Sequence, residues 1–326
     1  MEFNELSNEQ RRQLIDVLQA YAAWRPAATE LEGMGTMRVQ VSKGRRYVYE
    51  VRSTVRKSLG QESLALRKRK AAHDARRKEL QTRVRSLQAK LDAMAPVNRA
   101  LRLGRLPTIA ARIIRAIDRE GLLGTHVMIA GTNALFAFEV ATGTVIEQEH
   151  VATTDADILW DPRQSLLLAA TGVRREGLMG ILRSVDRSFE ADYGFNAKNR
   201  DGYIVDLICP PTDQQTTMAA GADLEAVQME GIEWLLAAPH FEQVVIAEDG
   251  LPARMVVPDP RTFALHKLWV SRRQDRQPVK RPRDKAHAAI VAQLATKYLN
   301  QRMVTTDMPW LPSELRALVR DAKALR

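Results

Sequence analysis

Thr153-Thr154-Asp155-Ala156-Asp157-Ile158-Leu159-Trp160-Asp161 is the stretch on which the fold turns. Side chains of a β-strand alternate between its two faces, so Asp155 and Asp157, two positions apart, project to the same side. Two carboxylates on one face can reach one cation cluster. Mg2+ takes hard oxygen ligands and keeps waters or substrate phosphates in its other positions, so a few carboxylates suffice where a triphosphate completes the shell. Mn2+ suits the same donors. Upstream, the apolar run His126–Gly131 (HVMIAG) reads as a strand, and Gly131-Thr132-Asn133 then opens a helical piece over 133–140. Loop amides and the Thr132 hydroxyl at such a positive helix end are suited to phosphate. Downstream, GLMGILRSVDRSF at 177–189 has helical spacing. GYIVDLICP at 202–210 alternates as a strand, with Tyr203, Val205 and Leu207 on one side and Asp206 on the other. A carboxylate in an apolar strand needs a partner. Asp206 supplies a third oxygen donor if its strand pairs beside the first.

Further strands are expected at 241–247 and 253–258, then helices near 260–273, 283–299 and 312–324. Toward the N-terminus, residues 9–23 place Leu14, Val17, Leu18 and Tyr21 on one helical face, behind a Ser7 or Asn8 cap. MRVQVSKGRRYVYEVR, from Met37, gives two alternating runs around Ser42-Lys43-Gly44, which predicts a β-hairpin. Residues 61–94 contain neither Gly nor Pro and are rich in helix formers. Leu80, Val84, Leu87, Leu91 and Met94 form a narrow coiled-coil-like seam. Pro96 is expected to end this helix, and Pro107 to start another with Ile109, Ile113, Ile114 and Ile117 on its apolar face. The fold class is therefore α+β: a mixed-sheet core over 107–258, a basic helical and hairpin-containing arm over 1–106, and a helical region over 259–326.

The chain has 326 residues and a formal charge of +10. It contains no run near the roughly 20 apolar residues of a membrane helix, and its first residues lack a secretory apolar core. A cytoplasmic location is expected. Cys209 is the only cysteine, which excludes an internal disulfide and a cysteine-based zinc cluster. The positive excess concentrates between Arg52 and Arg119, including Arg67-Lys68-Arg69-Lys70 and Arg76-Arg77-Lys78. These clusters suit phosphate contacts to a nucleic acid, and equally a solvated coiled helix. Aromatic residues that could stack on bases are sparse there, apart from Tyr47 and Tyr49.

The order of segments carries more information than any one of them. Strand, Gly-Thr-Asn-Ala-Leu, helix, TTDADILWD, helix, hairpin and Val-Asp-Leu-Ile together resemble the polymerase-β-like nucleotidyltransferase superfamily. GTNALFAFE at 131–139, TTDADILWD at 153–161 and GYIVDLICP at 202–210 are similar to a bacterial family of nucleotidyltransferase-fold proteins, over about 125–290. The resemblance implies Gly131 and Thr132 on the nucleotide loop, Asp155 and Asp157 as paired metal ligands, and Asp206 as the third carboxylate. It implies nucleoside triphosphate as substrate, Mg2+ or Mn2+ as cofactor, and an acceptor hydroxyl on RNA, protein or a small molecule.

Lys267, in His266-Lys267-Leu268-Trp269, is a candidate phosphate contact on a partly buried helix. Lys280, Arg283 and Lys285 extend the same surface or form a solvated helix face. Asp161 and Arg163 read as turn support, and neither His266 nor His287 has the spacing of a catalytic pair. Two readings stand beside the enzyme: a noncatalytic nucleic-acid-binding or regulatory protein that keeps the fold, and a toxin-like nucleotidyltransferase paired with an antitoxin.

Overall fold

The computed structural model describes residues 3–52, 55–163, 177–192, 196–211 and 224–325. The chain divides into two compact units: one of Met1–Arg11, Gly104–Glu248 and Ala253–Arg326, the other of Arg12–Leu103 and Asp249–Pro252. The architecture is α+β, as the sequence predicts. Among the described residues no helix is long and apolar enough to cross a membrane.

The first unit is built on a mixed sheet in the strand order Val127–Ile129, Asp155–Trp160, Ile204–Cys209, Asn196–Lys198, Glu190–Asp192. Val127–Ile129 runs antiparallel to Asp155–Trp160. The two carboxylate-bearing strands lie side by side and parallel, pairing Ile204 with Asp155 and Asp206 with Asp157. Parallel neighbours need a crossover, and Gly177–Val185 is a helix within the connection. The hairpin strands Glu190–Asp192 and Asn196–Lys198 pair antiparallel. Ile158, Val205 and Leu207 are fully buried, and this apolar neighbourhood fixes the register that puts the aspartates together.

Helices cover the sheet. Thr108–Arg119 buries Ile113, Ile114 and Ile117 in the same core. Pro260–Arg272 begins with Pro at its first turn and is capped by Asp259, whose carboxylate accepts from the backbone N–H groups of Arg261 at 2.9 Å and Thr262 at 3.1 Å. Its Phe263 meets Phe138, with ring centroids 5.4 Å apart. Arg281–Lys297 packs along Pro260–Arg272. Cys209 is buried. Ser7 and Gln10 cap the Asn8–Gly33 helix reciprocally, each side chain accepting from the other's backbone N–H.

In the second unit two expectations are corrected, on the first helix and on Pro96, and the expected hairpin stands but gains a third strand. The first helix runs on to Gly33 and carries Pro26 inside it, because Ala27 and Ala28 beyond the proline are buried and held by packing. The hairpin is a three-stranded sheet, Thr36–Ser42, Arg45–Arg52 and Val55–Gln61. The third strand, VRKSLGQ, is too polar to announce itself. Pro96 lies inside the helix Leu64–Ala100 instead of ending it. The last turn is anchored from outside the helix: buried Asn98 donates to the Gly250 carbonyl and accepts from the Gln13 amide, both at 2.8 Å. That anchoring offsets the hydrogen bond that proline removes.

Candidate active site

Strand pairing gathers the three aspartates. Asp157 and Asp206 are direct cross-strand partners, which puts their Cβ atoms roughly 5 Å apart, and Asp155 shares their face two residues along. Each carboxylate has its own neighbour. Thr153 Oγ1 donates to Asp155. Asn196, paired with Asp206 in the sheet, donates its side-chain amide to that carboxylate. Asp157 lies over Gly131.

Gly131 has φ +59°, and a Cβ there would lie 1.6 Å from Asp157 Oδ2. The glycine is demanded twice, by left-handed backbone and by the carboxylate's close approach. Ala130 N–H donates to the Asp157 carbonyl at 2.9 Å, which ties the Gly131–Thr132 loop to the strand that carries Asp155 and Asp157. Asn133 is buried and donates its amide to the Asp155 carbonyl at 2.8 Å. The helix Ala134–Thr142 starts immediately after it.

Asp157 keeps partial access to solvent, yet protein surrounds most of it. Burial pushes its carboxyl up to about 6; Lys267 and Arg276 oppose this, and the charges of Asp155 and Asp206 add to it. Asp206 is also raised, by burial first and then by Asp155, against the Asn196 hydrogen bond and the Lys280 charge. Two carboxylates raised by burial, with a third on the same face, are a site that a cation relieves. The amide oxygens of Asn133 and Asn196 are buried beside them without a protein partner. These are hard oxygen donors throughout, a set that fits Mg2+ or Mn2+. Among the described residues, the group of three acidic or histidine side chains whose ligand atoms close to within 4.8 Å is instead Glu147, Glu149 and His150. Both glutamates there are exposed, and the three aspartates are not in that group.

Lys267 faces this site from the helix Pro260–Arg272. Its Nζ lies 3.0 Å from Asp284 Oδ1, while Arg276 Nε lies 2.7 Å from Asp284 Oδ2. Asp284 is buried, and despite burial these two cations hold its carboxyl below the ordinary range. One fixed anion therefore holds two cations whose fields reach Asp157. Sequence reading picked Lys267 and missed Asp284 and Arg276. An acid flanked by Arg283 and Lys285 looks like an ordinary solvated helix charge, and only tertiary packing reveals it as buried.

Other charges resolve differently. Arg283 points to backbone, donating to the Ala152 carbonyl. Arg163 pairs with Asp161 through two side-chain contacts at 2.8 Å and donates its backbone N–H to the same carboxylate at 3.0 Å, which is turn support. His266 and His287 are buried, and burial lowers both to about 3, so they stay neutral. Beside Asp155 opens a cleft of about 540 Å3 whose lining includes Arg105, Gln148, Thr153, Thr154 and Arg283, within the size range of small-molecule sites.

In the other unit, Arg67, Lys68 and Arg69 are exposed and Lys70 is half-buried. Arg67 pairs with Glu62 at 3.2 Å, and Lys70 pairs with Asp74.

A family model described as nucleotidyltransferase matches residues 108–309. No curated protein and no solved structure matches the chain.

Proposed function

The chain belongs to the nucleotidyltransferase family, and from that premise we propose that it transfers a nucleoside monophosphate from a nucleoside triphosphate to an acceptor hydroxyl, with RNA as the acceptor. We place the family in the polymerase-β-like superfamily, and the protein in the cytoplasm. The observation that carries the reading is the register in which Asp206 faces Asp157 on adjacent parallel strands while Gly131 underlies the Asp157 carboxylate.

Asp155, Asp157 and Asp206 would hold Mg2+ or Mn2+, which when bound supplies activation of the acceptor hydroxyl and neutralises charge at the reacting phosphate. The residues of the chain do the positioning. Gly131 and Thr132, at the opening of the helix Ala134–Thr142, offer a phosphate a positive helix end. Lys267 and Arg276, held by Asp284, set positive potential over the carboxylates before substrate arrives, so no reorganisation is needed during the reaction. The cleft beside Asp155 gives a nucleotide room. Arg67, Lys68, Arg69 and Lys70 would contact acceptor phosphates through charge alone.

The test is to incubate the full-length protein with Mg2+ or Mn2+, each labelled triphosphate in turn, total cellular RNA and a protein extract. Release of pyrophosphate and a labelled RNA are expected, with both lost in Asp155→Ala and in Asp157→Ala. Label on protein alone replaces the acceptor, and full activity in both variants overturns the site assignment.

A further inference from the structure

We propose that the outer face of the three-stranded sheet Thr36–Ser42, Arg45–Arg52 and Val55–Gln61 binds single-stranded RNA, stacking bases on Tyr47 and Tyr49 and holding phosphates with Arg38, Arg45 and Arg56. The choice of RNA rests on the acceptor proposed above; the surface itself does not.

Alternation along the strands separates the two faces. One carries Met37, Val48 and Glu50. Met37 and Val48 are buried, and the charges of Arg69 and His73, from the helix Leu64–Ala100, reach Glu50. This is the covered face. On the other face Arg38 pairs with Tyr49 and Gln40 with Tyr47. Ser58 and Gln61 are the partners of the same two tyrosines on the third strand. Arg38, Gln40, Arg45, Arg56 and Ser58 are exposed, and both rings are partly so.

Charge complementarity selects the occupant. Residues 36–61 carry seven Arg or Lys and one acidic residue, Glu50. Glu50 lies on the covered face and is paired with Arg52 at 2.7 Å. The open face therefore presents cations and aromatic rings with no anion among them, which is the composition of a single-strand platform rather than of a protein interface with a polar rim. Arg56 extends the platform: its guanidinium lies 3.6 Å from the centre of the Tyr49 ring and is held there by Gln40. Tyr47 and Tyr49 are two residues apart on one strand, roughly 7 Å, a step matched to neighbouring bases of an extended strand. A duplex hides its base faces and cannot use the rings. The hydroxyl and amide groups of Ser58, Gln40 and Gln61 beside the rings suit the ribose 2′-hydroxyl, which DNA lacks.

The experiment is fluorescence anisotropy of a labelled 12-nucleotide single-stranded RNA with full-length protein in EDTA, over a series of salt concentrations. Affinity is expected to fall with salt with a logarithmic slope near −2, about 0.7 for each of three phosphate contacts. Tyr47→Leu and Tyr49→Leu are each expected to weaken binding roughly tenfold, while Tyr47→Phe and Tyr49→Phe retain it. Arg38→Gln is expected to make the slope shallower by about 0.7.

Unchanged affinity in a folded Tyr47→Leu/Tyr49→Leu protein overturns the proposal. If that protein fails to fold, an unchanged salt slope in Arg38→Gln/Arg56→Gln overturns it instead. Tighter binding of DNA of the same sequence rejects the RNA assignment. Displacement of RNA by polyglutamate at equal charge shows an acidic-peptide surface and sinks the nucleic-acid reading. The Asp155→Ala/Asp157→Ala protein is expected to bind this RNA with wild-type affinity. Failure of the wild-type protein to label any acceptor while it binds this RNA breaks the transfer reading and leaves the platform standing.

Discussion

The two units use charge in opposite ways. Around Asp157 the charges are few, enclosed and fixed: three carboxylates share one face, and Lys267 and Arg276 share one buried anion. Residues 36–61, which form the sheet Thr36–Ser42, Arg45–Arg52 and Val55–Gln61, carry seven cations against one carboxylate, and on the open face the charges are exposed and of one sign. A low-dielectric setting magnifies each interaction, whereas exposed charges are screened within about 8 to 10 Å at ordinary salt. Single substitutions should therefore be decisive at the first site and incremental at the second.

The largest expected effect comes from Asp157→Asn. It keeps the shape and removes the charge, so transfer should fall at least about a thousandfold. The same change relieves a buried like-charge cluster, and in metal-free buffer Tm should rise by a few degrees. Calorimetry together with the pyrophosphate assay checks both. An active protein, or one less stable than wild type, contradicts the picture of charges confined against desolvation.

Gly131→Ala is next. The new methyl must enter the space of Asp157 Oδ2 while the backbone stays at φ +59°. Strain of this kind costs about 1–3 kcal/mol, and displacement of the carboxylate should lower kcat roughly a hundredfold. Retained kcat would mean that Asp157 does not work from the position it occupies over the loop.

Asp284→Asn tests the support of the site. The substitution leaves Lys267 and Arg276 without their shared anion, and breaking a partly buried ion network costs about 3 kcal/mol or more. KM for the nucleotide should rise roughly tenfold, with a smaller fall in kcat. A fall in stability with KM unchanged would confine Asp284 to structure. Asp284→Glu should restore part of the loss.

This residue also marks what could be read before the structure. The strands holding Asp155, Asp157 and Asp206 were legible because two-residue alternation in an apolar context has one geometric meaning. So were the helices Pro260–Arg272 and Ser313–Ala324, whose ends carry proline signals. The three-stranded sheet was not legible, since Val55–Gln61 packs little apolar surface. Nor was the turn held beyond Pro96, because its anchor, Asn98 to Gly250, joins residues 152 positions apart. Asp284 belongs to this second class: local sequence shows an acid among bases, and only packing tells whether water reaches it.

A smaller effect separates enclosed groups from screened ones by pH. His266, packed against Trp234 and Trp269, has a native value near 3, lowered chiefly by burial and by Lys267, with Arg276 and Arg273 acting in the same sense and Asp284 opposing them. Between about 6.5 and 3 the unfolded chain takes up a proton at this residue that the native chain does not. Its contribution to stability is thus present above pH 6.5 and is lost on acidification, by about 1.4 kcal/mol per pH unit. His287 acts in the same direction. Glu139 acts oppositely, because burial raises its native value to about 7 and it takes up its proton in the native state first. His266→Phe should therefore flatten the fall of the urea midpoint below pH 6.5 while leaving the Glu139 contribution in place. A parallel profile would show that His266 titrates normally.

The smallest expected effect is at Arg67, Lys68, Arg69 and Lys70. Replacing all four with Gln removes more positive charge than any change considered above, and Gln preserves helix propensity. Yet Arg67 is held by Glu62 and Lys70 by Asp74, so part of their field is already neutralised at the surface. Few bases could stack there, since the nearest aromatic pair lies on the sheet. RNA affinity should drop only about threefold in this protein, through a salt slope reduced by roughly one, against roughly tenfold for a single Tyr47→Leu or Tyr49→Leu. Circular dichroism checks that the helix is intact, and anisotropy at two salt concentrations reads the slope. If the quadruple variant loses more affinity than the tyrosine variants, the order is reversed: phosphate contacts along the helix would then dominate binding, and the sheet would be secondary to them.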